Sequence, residues 1–135
     1  MVAYSFKKRF AAPILAGTKA QTIRADRKRH ARLGELVQLF TGMRTKHCRR
    51  LGEARCTEVY SIALDLELGI VFANDGWIRT QEDLDAFARQ DGFPYWSELV
   101  AFWAAEHPGV SYFSGILIRW TPLAPTDALD IGAAA

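Results

Sequence analysis

Pro13-Ile14-Leu15-Ala16-Gly17-Thr18-Lys19-Ala20-Gln21-Thr22-Ile23-Arg24 is a short apolar turn that runs into glycine and then into a lysine, a threonine and an arginine. Ile14 and Leu15 are suited to bury a helix end. Gly17 can stop that helix, because it reaches positive φ without the Cβ penalty other residues carry. The amine of Lys19, the hydroxyl of Thr22 and the guanidinium of Arg24 then fall within six residues. Reactive or phosphate-binding groups are thereby carried on chain that a buried anchor holds, and the remaining sequence is expected to wall a site around them.

Upstream, Val2-Ala3-Tyr4-Ser5-Phe6 alternates as a short strand does. Phe10, Ala11, Ile14 and Leu15 repeat at helical spacing and predict a helix of about two turns. It starts near Arg9 or Phe10, so that Pro13 stays in the first turn, where its missing N–H would have no partner anyway. Downstream, Thr22-Ile23-Arg24 is extended, and Asp26-Arg27-Lys28-Arg29-His30-Ala31-Arg32 is a basic loop with no apolar period. Gly34 ends it, and Glu35-Leu36-Val37-Gln38-Leu39-Phe40-Thr41 is the clearest strand in the chain. A second basic loop from Gly42 to Arg50 leads into a run from Gly52 to Leu64 whose alternation slips once, as a bulge would make it do.

Residues 65–74 contain apolar positions without a clean period and receive no assignment. Thr80-Gln81-Glu82-Asp83 has the form of a capping box with Asp in place of Glu, opening a helix whose Leu84, Phe87 and Ala88 share a face. Asp91-Gly92-Phe93-Pro94 breaks the chain. A second amphipathic helix carries Trp96, Leu99, Val100 and Trp103 and is ended by His107-Pro108-Gly109, after which Val110 to Trp120 is a closing strand. Two helices thus fall between the fourth strand and the last. Alternating rather than continuous apolar strands predict an α+β domain, with a mostly antiparallel sheet or small barrel, over residues 1–121. Residues 122–135 are Ala-rich and read as a frayed tail.

With 135 residues, half of them hydrophobic and 12% aromatic, the chain can bury a real core and is not a disordered polymer. No apolar run approaches the roughly 20 residues of a membrane helix. The first residues place their charges after the apolar run, the reverse of a secretory signal, so a cytoplasmic protein with no membrane partner is expected. Cys48 and Cys56 make no disulfide framework. The net charge of +2 hides a separation: residues 1–56 hold 14 Lys and Arg against three acids, and residues 57–135 hold three Arg against 12 acids. Such segregation points to a face that attracts polyanions.

Two chemistries compete for the anchor stretch. A lysine three residues before a threonine can activate the hydroxyl as a nucleophile if the amine is desolvated. Alternatively Lys19 and Arg24 hold a phosphate or nucleobase, with Thr22 adding a hydrogen bond. For a nucleic-acid partner, Arg24, Arg27, Lys28, Arg29, Arg44, Lys46, Arg49 and Arg50 supply phosphate contacts. Tyr4, Phe40, Tyr112 and Phe113 lie on strands and are candidates to stack on unpaired bases. Phe40 and Phe113 read better as core, and Tyr112 as the ring left free to stack. His30, His47, Cys48 and Cys56 offer metal ligands without C-x-x-C or H-x-x-x-H spacing, and Cys56 reads as a small buried hydrophobe. No cofactor is expected, although a divalent metal recruited with nucleic acid would leave no signature. The alternative of another class is a non-catalytic protein-interaction module built on exposed members of Trp77, Trp96 and Trp103.

The run Ile14-Leu15-Ala16-Gly17-Thr18-Lys19-Ala20-Gln21-Thr22-Ile23-Arg24 resembles the signature of the ASCH domain family, which is similar to the RNA-binding PUA domain. The likeness continues through Gly34 to Phe40, through Ala88-Arg89-Gln90-Asp91-Gly92-Phe93 and into Tyr112 to Trp120, so it covers nearly the whole chain. It implies a small PUA-like barrel flanked by helices, with a cleft lined by the motif lysine, threonine and an acid. Family members are associated with RNA; some are amidohydrolases of N4-acetylcytidine and others are described as ribonucleases. Carried over by position, the amidohydrolase-type catalytic set would be Lys19, Thr22 and Asp91, with Asp standing where those members read Glu. Toward the ribonuclease-type members, Lys46 is retained and Phe40 stands where a tyrosine is expected. The resemblance therefore implies a protein that binds single-stranded RNA or a modified nucleoside in a basic cleft, either without turnover or with hydrolysis of the ribonuclease or N4-acetylcytidine amidohydrolase type.

Overall fold

The anchor stretch takes the conformation its residues require. In the computed structural model, which describes residues 2–74 and 76–124, β1 spans Val2–Phe6, a 3-10 turn takes Lys8–Phe10 and α1 covers Ala11–Ala16. Pro13 falls in the first turn of α1, and Ile14 is fully buried. Gly17 closes the helix at φ 83°, its N–H donating to the Ile14 carbonyl at 3.1 Å. A Cβ there would lie 2.4 Å from the Leu123 carbonyl oxygen, so glycine is required for space as well as for φ.

The chain then forms β2 (Gln21–Arg24), β3 (Leu36–Thr41), β4 (Arg49–Asp65), β5 (Ile70–Ala73) and β6 (Gly76–Ile78). Two helices follow, α2 (Gln81–Gln90) and α3 (Trp96–Glu106), and β7 (Tyr112–Trp120) closes the fold. β1 pairs with β3 in parallel, and every other ladder is antiparallel. β4 is the spine of the sheet: its first half lies on β3 and its second half on β7 and β5. The register shift between Cys56 and Glu58 coincides with that change of partner, and it is the slip visible in the sequence.

The unassigned segment after Asp65 is a turn and a small hairpin. The Asp65 carboxylate accepts from the N–H groups of Glu67 and Leu68, reversing the chain into β5, and β5 pairs with β6. Neither strand is long enough for alternation to register. The Thr80 hydroxyl caps α2 by accepting from the Asp83 N–H at 3.2 Å, as the capping pattern predicts. Asp85 then accepts the Trp96 N–H at 2.8 Å and so satisfies the start of α3. Leu84, Phe87, Trp96, Leu99 and Trp103 from these helices join Tyr4, Leu39, Leu64, Leu117, Ile118 and Trp120 in one core. Each such large side chain stabilises the fold by roughly 1.5–3 kcal/mol through removal of apolar area from water.

The sheet does not close into a barrel. β1 pairs only with β3 and β2 only with β7, and among the described residues no ladder joins the two. A side chain bridges them instead: the Arg24 guanidinium reaches the Ser5 carbonyl at 2.8 Å. No helix among the described residues is long and apolar enough to cross a membrane. At the end of the chain, Leu123 packs on the core and against Gly52, while residues 125–135 of the expected tail lie outside the described residues.

Candidate functional site

A cleft of about 370 Å³ opens between the unpaired edges of β1 and β2. Ser5 and Phe6 line it from β1, and Lys19, Thr22 and Arg24 from the anchor stretch. Asp91 and Phe93 come from the end of α2, Phe102, Trp103, Glu106 and His107 from α3 and its end, and Phe113 from β7. An ion pair between Lys7 and Glu106 at 3.0 Å crosses its rim.

Helix capping brings Lys19 to Asp91. The last carbonyls of a helix have no partner within it. Here the Ala20 N–H donates to the Gln90 carbonyl at 3.1 Å, and the Lys19 amine donates to the Asp91 carbonyl at 2.6 Å. The turn itself closes with Phe93 N–H on the Ala88 carbonyl and Gly92 N–H on that of Arg89, a Schellman arrangement with Gly92 at φ 99°. A cation at this end also complements the helix dipole. The Asp91 carboxylate lies 3.8 Å from the amine, an ion-pair distance too long for a hydrogen bond, and accepts from Gln21 Nε2 at 3.2 Å. Phe6 and Phe10 present their rings to the Lys19 amine at 5.4 and 4.7 Å.

Lys19 is 3% and Asp91 6% exposed. Burial pushes the Lys19 amine below the usual lysine range; the Asp91 charge opposes the shift and Arg24 adds to it. Burial likewise pushes the Asp91 carboxyl up, against Lys19, the Gln21 hydrogen bond and Arg24. Both shifts disfavour the charged forms, narrowing the gap between the proton affinities of the amine and the carboxylate. Thr22 is buried beside them, its hydroxyl accepting from Arg24 Nε at 2.8 Å and keeping its own proton to give. The partner of the Lys19 amine is Asp91, not the Thr22 hydroxyl.

Gly92 makes room for this arrangement. A Cβ there would sit 2.9 Å from the Lys19 Cδ and 3.1 Å from the Phe10 ring. Gly92→Ala is therefore expected to lower stability by about 2 kcal/mol, from the φ penalty and the displaced lysine together. Urea unfolding measures it, and an unchanged midpoint would contradict the packing described.

Lys19, Thr22, Arg24 and Asp91, selected from sequence, thus share one cleft. The other candidates lie outside it. Arg27 stacks its guanidinium on the Tyr4 ring at 4.8 Å, Arg29 pairs with Glu35, and Lys28 is exposed beside them. Arg44 and Lys46 are exposed on the β3–β4 loop, with Arg49 at its end; this loop is tied to β1 by the Met43 N–H on the Ser5 hydroxyl at 3.1 Å. Two basic loops therefore meet β1 at Tyr4 and Ser5, beside the cleft. Tyr4 itself is core: it is 1% exposed, and its hydroxyl meets His30 Nδ1 and accepts the Ala31 N–H. Tyr112 is exposed on β7, whereas its neighbour Phe113, half-buried, is the ring that lines the cleft. Strand alternation turns the two to opposite faces.

Sequence reasoning missed Gln21, Arg119 and the aromatic wall of Phe6, Phe10, Phe93, Phe102 and Trp103. Gln21 is fully buried, and a polar residue two positions from Lys19 at the start of a strand was the available signal. Among the described residues, no three His, Cys, Asp or Glu side chains gather as a metal site would need. Cys56 is buried and Cys48 exposed. No protein-family model, curated protein or solved structure matches this chain.

Proposed function

We propose that this chain is an ASCH-type protein whose strands follow the PUA-like barrel plan with one seam left open, and that the seam admits a modified nucleoside, free or within single-stranded RNA, for hydrolysis of an acyl group on its exocyclic amine. The observation that carries the reading is the buried Lys19–Asp91 pair beside the Thr22 hydroxyl in a cleft walled by aromatic rings. The volume lies in the ~300–1,000 Å³ range of small-molecule sites, and flat apolar walls suit a base.

In this mechanism Thr22 Oγ1 attacks the acyl carbon while the neutral Lys19 amine takes its proton. The resulting ammonium returns that proton to the departing exocyclic amine as the carbon–nitrogen bond breaks. Water then cleaves the threonine ester, giving the carboxylic acid and the unmodified nucleoside. Asp91 holds the amine in place, and Arg24 orients the hydroxyl oxygen.

Binding without turnover is the second reading. It is favoured by the contacts these groups already make: Lys19 reaches Asp91, and the Thr22 hydroxyl is engaged by Arg24. The test presents N4-acetylcytidine and single-stranded RNA, separately, to the parent protein and to Lys19→Ala. The proposed activity releases acetate from the nucleoside with the parent only. Its rate rises with pH as Lys19 loses its proton and levels off below the ordinary lysine pKa, since burial lowers that pKa. RNA cleavage without deacetylation would replace the proposal with a ribonuclease, and binding with neither activity would make the chain a reader.

A further inference from the structure

A line of polar side chains leads from the surface to the buried pair. Gln21 on β2, Arg119 on β7 and Glu58 on β4 are direct cross-strand partners, Gln21 opposite Arg119 and Arg119 opposite Glu58. Their side chains are joined in the same order. Glu58 Oε1 accepts from Arg119 Nη1 at 3.3 Å, Gln21 Oε1 accepts from Arg119 Nε at 3.0 Å, and Gln21 Nε2 donates to Asp91 Oδ1 at 3.2 Å.

The orientation of the Gln21 amide follows from chemistry alone. A guanidinium can only donate, so the atom facing Arg119 is the amide oxygen. The NH₂ group must then face Asp91, and a donor at that place favours the carboxylate over the acid. Without Arg119 the amide could turn its oxygen to Asp91 and accept a proton held there.

We propose that Arg119, acting through the Gln21 amide, is a positioning residue that keeps the proton of the buried pair on Lys19 and not on Asp91. The proposal deepens the hydrolase reading and rests on it only for its consequence in turnover. The charged groups facing the Asp91 carboxyl are Lys19 and Arg24, and the cleft adds Lys7, Glu106 and His107 from its rim. Beside the larger attraction of the Lys19 charge, the Gln21 amide is the group that donates a hydrogen bond to the carboxylate at 3.2 Å, and its donor end is what Arg119 fixes there.

The decisive measurement follows the Asp91 carboxyl carbon by NMR through a pH titration, in the parent, in Arg119→Leu and in Arg119→Lys. Arg119 is half-buried on the sheet surface. Arg119→Leu raises the pH at which Asp91 titrates, and Arg119→Lys, which still offers a donor to Gln21 Oε1, restores it. In the parent, the Gln21 side-chain amide protons shift in step with Asp91, a readout that needs no variant. Where turnover is present, loss of the Asp91 charge weakens proton binding at Lys19. The rising limb of the pH–rate profile then moves to lower pH in Arg119→Leu, and on that limb the variant is faster than the parent by about tenfold, the worth of one hydrogen bond to a charge. An Asp91 titration unmoved in folded Arg119→Leu, or Gln21 protons indifferent to it, overturns the proposal. Absence of turnover with the titration moved would reject the hydrolase and leave the positioning role standing.

Discussion

Lys19→Met is expected to abolish the proposed hydrolysis and to lower stability by about 3–5 kcal/mol, because it leaves the Asp91 carboxylate buried without its cation. Combining it with Asp91→Asn is expected to recover part of the stability and none of the proposed hydrolysis. A methionine fills the aliphatic path of the lysine between Phe6 and Phe10, so lost packing is a small part of the effect. What the double variant cannot restore is the donor to the Asp91 carbonyl at the end of α2, which leaves a deficit of about 1–3 kcal/mol. The single variant also acquires a pH dependence with a definite sign. The Asp91 carboxyl is already raised in the folded state by burial, and removing Lys19 raises it further. Between the ordinary carboxylate pKa of about 4 and the raised value, the folded state binds more protons than the unfolded one. Stability of Lys19→Met must therefore fall as pH rises through that window, and the loss is largest above it. Urea unfolding at about pH 4 and about pH 8 reads both effects. Equal stability of Lys19→Met and parent at the higher pH would mean that the two groups are not a coupled pair.

The parts of this fold that depend on short-range chemistry were legible in the sequence. Gly17 stops α1, Thr80 caps α2, and Leu84, Phe87, Trp96, Leu99 and Trp103 turn inward, each for a reason contained in a few neighbouring residues. The slip in β4 was legible too, since a bulge moves every later side chain to the opposite face. The closure of the sheet was not. Whether β1 and β2 pair depends on how far the sheet curls, and side chains from the 3-10 turn, from the turn after α2 and from α3 line the gap between them. β5 and β6 were missed because four and three residues carry too little alternation to stand out from a loop.

The site divides in the same way. Lys19, Thr22 and Arg24 share one short segment, so a resemblance in sequence could bring them forward together. Asp91 is 72 residues from Lys19 and was reached only through that resemblance; its place beside the amine follows from the capping of α2 by residues 19 and 20. Gln21 and Arg119 are 98 residues apart and are neighbours only through the β2–β7 register. In sequence, Gln21 looks like an ordinary outward-facing strand position. The aromatic wall drew no notice because rings at those spacings serve equally well as core, and Phe10, Phe93 and Phe102 do pack on one another at 5.3–5.5 Å.

RNA affinity is expected to fall roughly fifty-fold between about 50 and 200 mM salt, if about four phosphates are neutralised on a single strand. The cations for this lie on the two loops that meet β1 beside the cleft: Arg27 and Lys28 on one, Arg44, Lys46 and Arg49 on the other. Among the described residues none of these five is engaged in an ion pair, unlike Arg29 with Glu35 and Arg50 with Glu53, so their charge is available to a ligand. Lys46→Glu and Arg44→Glu should each weaken binding of any sequence alike and flatten the salt dependence by about one contact. Lys19→Ala should lower affinity for the modified base while leaving the salt slope as it is, because the amine lies inside the cleft on Asp91 and faces no phosphate. The two kinds of variant therefore separate rim from cleft in one titration series. A slope near zero in the parent would remove the polyanion from the picture and leave a free nucleoside as the ligand; a slope that Lys19→Ala changed as much as Lys46→Glu did would place the phosphates in the cleft itself.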